Sequence, residues 1–201
     1  MEITRKEVKK VSIKDALLEA VFEADFAGTD PNGSPVEETG EYSRKSSQVR
    51  TGDFNAAFNR LRIHMVCICE MPEADQITED NVYDFDPEQL MNYEITGYSI
   101  GGSDESAGVT ITGKKLLESG QVLNLNVPFT KFEDEDGYIH GAALMSDIEA
   151  CNSEVEEFLN GKWGIVQQEL PGFETDTPNE ADIDGVKMKV FNSKKEMEEA
   201  V

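Results

Sequence analysis

The apolar residues of this chain follow two different periods, and their order along the chain sets the fold class. Phe54, Phe58, Leu61, Met65 and Ile68 recur at spacings of four, three, four and three. That is the stripe of an amphipathic helix, with Asp53 as its expected N-cap and Pro72 as its stop. From Tyr93 the period becomes two. Tyr93–Ile100, Gly108–Leu117 and Gln121–Val127 read as three strands, joined by turns at Gly101-Gly102-Ser103-Asp104 and Glu118-Ser119-Gly120. Leu123, Leu125 and Val127 face one way and Asn124 and Asn126 the other, the antiparallel pattern of one covered and one solvated face. Helical spacing then returns in Leu144, Ile148, Cys151, Val155 and Phe158, and Asn160-Gly161 ends it. The expectation is an α+β fold: a three-stranded antiparallel meander packed by two amphipathic helices, near 53–70 and 142–160.

The flanks carry weaker signals. Residues 1–22 read as a basic arm leading into a short helix from Ser12 to Phe22, with Ser12 and Asp15 as a capping box and Ile13, Leu17, Ala20 and Val21 on one face. Between 23 and 50, Gly28, Pro31, Asn32-Gly33, Pro35 and Gly40 interrupt a polar stretch that reads as a mobile linker. The core domain is then 51–166, with the stretch from Glu73 to Asp86 acidic and irregular and Asp86-Pro87 opening a short turn. Residues 167–201 form an acidic tail in which Val186, Met188 and Val190 alternate briefly.

Charge is placed unevenly. Residues 1–62 hold 10 basic and 11 acidic side chains, whereas 63–201 hold 8 and 30, a net of −22 out of −23 for the whole chain. Such a field repels phosphate backbones and attracts basic surfaces. No apolar run approaches the roughly 20 residues needed to span a bilayer. Basic residues at the N-terminus have no apolar stretch behind them, so a secretory signal is not expected. Three cysteines, Cys67, Cys69 and Cys151, do not make a disulfide framework, which favours a reducing compartment.

Little here spells out a reaction. The run Phe132-Glu133-Asp134-Glu135-Asp136-Gly137 lacks a carboxylate at both ends of a calcium loop and reads as a solvated acidic turn. Cys67 and Cys69 lie two apart on a helix and cannot converge on one zinc. Cys151 with His140 is a conceivable nucleophile pair, and His64 lies off the apolar stripe, as a surface histidine would. No phosphate-binding fingerprint is present. The expectation is a non-enzymatic protein with no cofactor and no metal.

Ile95-Thr96-Gly97-Tyr98-Ser99-Ile100-Gly101-Gly102 and Leu123-Asn124-Leu125-Asn126-Val127-Pro128-Phe129-Thr130-Lys131-Phe132 resemble segments of small uncharacterised proteins of tailed phages and related mobile elements. The resemblance covers about 90–170. It implies a phage or mobile-element setting, in the cytoplasm of a bacterial host and near DNA-handling genes, and carries no activity.

Two functions follow as expectations. In the first, the chain presents carboxylates, with Glu133, Asp134, Glu135 and Asp136 as the contact cluster, to a basic nucleic-acid-binding host protein. It would act as a DNA mimic or anti-defence inhibitor and would not bind duplex DNA directly. In the second, it is an accessory replication or recombination protein that contacts single-stranded DNA. The contacts would be Arg5, Lys6, Lys9 and Lys10, helped by Arg44, Lys45 and Arg50 and by stacking on Tyr93, Tyr98, Phe129 or Phe132. No membrane is involved, and an uncovered sheet edge would favour a homodimer.

Overall fold

The computed structural model describes residues 2–30, 32–133, 137–164, 180–183 and 186–189. For 2–5, 180–183 and 186–189 it describes the backbone alone. The chain divides into two units, Met1–Ile165 and Val166–Val201. In the first, a seven-stranded antiparallel sheet carries two helices. Its elements are β1 (Glu2–Lys14), β2 (Leu17–Thr29), β3 (Pro35–Ser46), α1 (Gly52–Ile68), β4 (Tyr93–Gly101), β5 (Gly108–Leu116), β6 (Val122–Asn126), β7 (Thr130–Lys131) and α2 (Gly141–Leu159). The strand order is β3-β2-β1-β4-β5-β6, with β7 also beside β5. In the second unit, β8 (Glu180–Ile183) and β9 (Val186–Lys189) pair antiparallel. The rest of the expected acidic tail lies outside the described residues.

The α+β class stands, but the three-stranded meander is corrected. The expected strands are β4, β5 and β6, and four more complete the sheet. Three of these come from the segments read as basic arm, short helix and mobile linker. Leu18, Ala20, Phe22 and Ala24 are fully buried, and the residues between them are only partly so. That is a strand's period of two. The helical spacing of Ile13, Leu17, Ala20 and Val21 is a coincidence, since Leu17 is 42% exposed. Ser12 and Asp15 cap no helix. Asp15 has φ 55° and turns β1 into β2 with Ala16, a left-handed position that aspartate tolerates better than most residues.

The punctuation read as a linker is a second hairpin turn. The Asp30 carboxylate accepts from the backbone N–H of Asn32 and of Ser34, each at 2.8 Å. Gly33 takes φ 85°. From there β3 pairs with β2 along its whole length, from Pro35 opposite Thr29 to Ser46 opposite Leu18.

Both helices form where their periodicity places them. Thr51, rather than Asp53, caps α1 by accepting from Phe54 N–H at 3.1 Å. Asn160 ends α2, followed by Gly161 at φ 111°. The helices lie side by side against one face of the sheet, and a single apolar core joins them to Val11, Phe22, Tyr98, Val109 and Ile111. Phe54 stacks on Phe58 at 4.5 Å, and Tyr98 lies 5.8 Å from Phe58. The Tyr98 hydroxyl donates to Asn152 at 2.7 Å, so this deeply buried phenol is satisfied by α2. Arg44 of β3 reaches the C-terminal end of α2, donating to the Leu159 carbonyl at 2.5 Å and to Asn160 Oδ1 at 3.1 Å. β6 departs from expectation, with Val122 54% and Leu123 43% exposed, while Val127 beyond it is buried.

The join between the N-terminal hairpin and the rest of the sheet is short. β1 meets β4 only through Lys10–Ser99, Val11–Tyr98 and Ser12–Gly97. A Cβ on Gly97 would lie 2.3 Å from the Val11 carbonyl oxygen, so this contact requires glycine.

Candidate functional site

From Glu70 to Asn92 the chain contains eight carboxylates and no lysine or arginine. It leaves α1 through Glu70 at φ 51° and makes short 3-10 turns at Pro72–Gln76 and Pro87–Leu90. Ile77, Val82 and Leu90 anchor it in the core. Its backbone is held from beneath by α1. Arg60 donates to the carbonyls of Val82 at 2.9 Å and Phe85 at 3.1 Å, and Arg62 to that of Pro87 at 3.4 Å. Glu73 faces inward, accepting from Lys115 Nζ at 2.9 Å and from the Tyr93 hydroxyl at 2.8 Å. Burial alone would raise the Glu73 carboxyl, but these partners outweigh it and leave it below the usual range.

The remaining acids point outward. Asp75, Glu79, Asp80, Asp84, Asp86 and Glu88 are exposed, beside Tyr83 at 60% and Met91 at 74% exposure. The result is an acidic ridge whose cationic contacts among the described residues, from Arg60, Arg62 and Lys115, lie on its inner side. Its acidity is legible in the sequence. Its fixed backbone is not, because the residues that hold it lie on α1 and β5.

The expected contact residues are distributed differently. Glu133 is exposed, and Asp134, Glu135 and Asp136 lie outside the described residues. Arg5, Lys6, Lys9 and Lys10 belong to β1, an inner strand of the sheet rather than an arm. Lys6 lies over the Phe22 ring at 4.3 Å and 3.5 Å from Glu156. Lys9 pairs with Glu7 and Glu23, Lys10 is exposed, and the Arg5 side chain is not described. Lys45 pairs with Glu19 at 3.1 Å. Tyr93 and Tyr98 are core residues, whereas Phe129 is half exposed.

His64 corrects a further expectation, for it is fully buried. Its Nε2 lies 3.0 Å from Asp147 Oδ2, and its Nδ1 lies 2.9 Å from the Tyr138 hydroxyl. Arg60 Nε meets the same carboxylate at 3.4 Å. This chain links α1, α2 and the segment before α2 in a satisfied polar network. Burial pushes the Cys67 thiol up to about 11, despite the nearby Tyr138 hydroxyl, and raises Cys151 further. Both stay protonated near neutrality, which disfavours nucleophilic chemistry. No hydrogen bond joins Cys151 to His140 among the described residues. Nor does any group of three His, Cys, Asp or Glu side chains among them suit a metal ion. No helix among them is long and apolar enough to cross a membrane.

No protein-family model, no curated protein and no solved structure matches this chain.

Proposed function

We propose that this chain is a non-enzymatic binding protein of a phage or mobile element that presents carboxylates to a basic nucleic-acid-handling protein of its bacterial host. It would occupy the surface that nucleic acid would otherwise take. The observation that carries this reading is the ridge between Glu70 and Asn92, where carboxylates face solvent while Arg60 and Arg62 hold the backbone from the opposite side. Carboxylates fixed before binding lose less conformational freedom on association than those of a mobile tail. A field of this sign also speeds encounter with a basic partner. The ridge therefore takes the place of the Glu133–Asp136 cluster as the centre of the contact surface. Single-strand contact through β1 has less support, because Lys6 and Lys9 are engaged with Glu156, Glu7 and Glu23. A homodimer through β3 has little support too: that edge exposes Glu37, Glu38, Glu41 and Lys45, charges that discourage strand pairing.

The test is retention of proteins from nuclease-treated host lysate on the immobilised chain, followed by competition with duplex DNA and elution in a salt gradient. The expected result is a basic nucleic-acid-binding protein that duplex DNA displaces and that a variant with Asp84→Asn, Asp86→Asn and Glu88→Gln fails to hold. Recovery of nucleic acid, with proteins lost on nuclease treatment, would overturn the proposal in favour of the DNA-contacting role.

A further inference from the structure

A second feature lies on the N-terminal side of α1 and has the opposite electrostatic character. β1 ends at Lys14 and turns away, while the N-terminal half of β4 runs on past it. Their pairing stops at Ser12 and Gly97, next to a bulge in β4 between Ile95 and Gly97. Ile13 and Ile95 therefore part, and the first turns of α1 roof the gap. The cavity is about 300 Å³, with Ile13, Phe54, Phe58 and Ile95 as its apolar lining. That is the lower end of the range for small-ligand sites, which are typically apolar with a few placed polar groups.

The polar groups are Arg50, Arg62, Asn55 and Asn59, together with Glu94. Arg50 makes no side-chain hydrogen bond or ion pair with any described residue, and the same holds for the Asn55 and Asn59 amides. Arg62 spends one terminal nitrogen on the Pro87 carbonyl at 3.4 Å, and its Nε is buried with no acceptor. That nitrogen is closed to solvent, so a ligand would be met instead by the second terminal nitrogen of Arg62, which is neither bonded nor sealed. Glu94 is the one carboxylate in the lining, and Lys114 pairs with it at 3.1 Å. Two guanidinium groups with donors to spare thus line one cavity together with Phe54 and Phe58. They do so inside a chain that elsewhere carries a large excess of carboxylates.

We propose that this cavity binds a small organic oxyanion, a phosphate or a carboxylate joined to a planar apolar group. Arg50 and Arg62 would take the oxyanion, Phe54 and Phe58 the planar part, and Asn55 and Asn59 its polar edge. Guanidinium is suited to this task because its planar fork matches two oxygens at once. The site is separate from the acidic ridge and does not depend on its role.

The experiment is calorimetric titration of the full chain at low ionic strength with thymidylate and phenylacetate, and with their uncharged counterparts thymidine and phenylacetamide. At least one anion is expected to bind, with its neutral counterpart not binding. Which anion binds identifies phosphate or carboxylate as the oxyanion. Arg50→Gln should weaken that binding by about tenfold, the scale of one charge-assisted hydrogen bond. Arg62→Gln also removes the contact to Pro87, so Asn59→Ala serves as the second variant, and both variants are first checked for an unchanged unfolding midpoint. Failure of both anions to bind would overturn the site. So would equal binding of the neutral compounds, or affinity unchanged by Arg50→Gln and Asn59→Ala together.

Discussion

Asp147 of α2 lies 3.0 Å from Nε2 of the fully buried His64 of α1, and the same carboxylate meets Arg60. One acid thus serves two basic side chains from the neighbouring helix. Asp147→Ala would leave His64 and Arg60 without their shared acceptor, at a cost of about 3 kcal/mol. Asp147→Asn, which keeps an acceptor oxygen, should cost less. Urea unfolding of the two variants checks this. Near-equal midpoints for Asp147→Ala and the parent would show that the network adds nothing to stability.

Arg60 also holds the backbone of the acidic ridge. Arg60→Gln should speed amide hydrogen exchange across 77–90 while leaving the centre of α2 protected. It should weaken partner capture even though no carboxylate has changed. Exchange followed by mass spectrometry reads the first effect. Unchanged protection in 77–90 would mean the apolar anchors Ile77, Val82 and Leu90 suffice.

Gly97 sets how closely β1 can approach β4. A methyl group there meets the Val11 carbonyl, so Gly97→Ala should destabilise the fold by about 1–3 kcal/mol, the usual range for overpacking. The loss should appear in thermal unfolding. A variant as stable as the parent would show that the two strands can separate without penalty.

His140 is buried, and burial, followed by the nearby His64, lowers it from the ordinary value of 6.5. The unfolded chain therefore takes up this proton at higher pH than the folded one. Its contribution to stability is complete above pH 6.5 and is lost as pH falls from there through the folded value. The midpoint of thermal unfolding should fall between pH 7 and pH 5, and His140→Gln should flatten that part of the profile. A profile unchanged by the substitution would place the acid sensitivity elsewhere.

Local pattern carried far in some segments and failed in others, for identifiable reasons. The four-three spacing of Phe54 to Ile68 and of Leu144 to Phe158 marks α1 and α2 to within a residue or two, because a helix makes its hydrogen bonds within itself. β4 and β5 are likewise legible from alternation between clear glycine turns. In 12–24 the apolar residues offer both periods, since Ile13, Leu17, Ala20 and Val21 fit a helix while Leu18, Ala20, Phe22 and Ala24 fit a strand. Pairing with β3 and β4 decides between them. His64 is off the stripe of its own helix, yet α2 and Tyr138 cover it.

Local sequence is enough to place the turns on either side of β5, the two helices and the uneven spread of charge, since each depends on neighbours a few residues away. Long-range packing and pairing bring β1, β2 and β3 into the sheet, set the carboxylates of 75–88 on a fixed ridge, and place Arg50 and Arg62 in the lining of one cavity. Those outcomes rest on hydrogen bonds and packing between residues far apart in the chain. A strand's backbone partners, unlike a helix's, are not written in its own period.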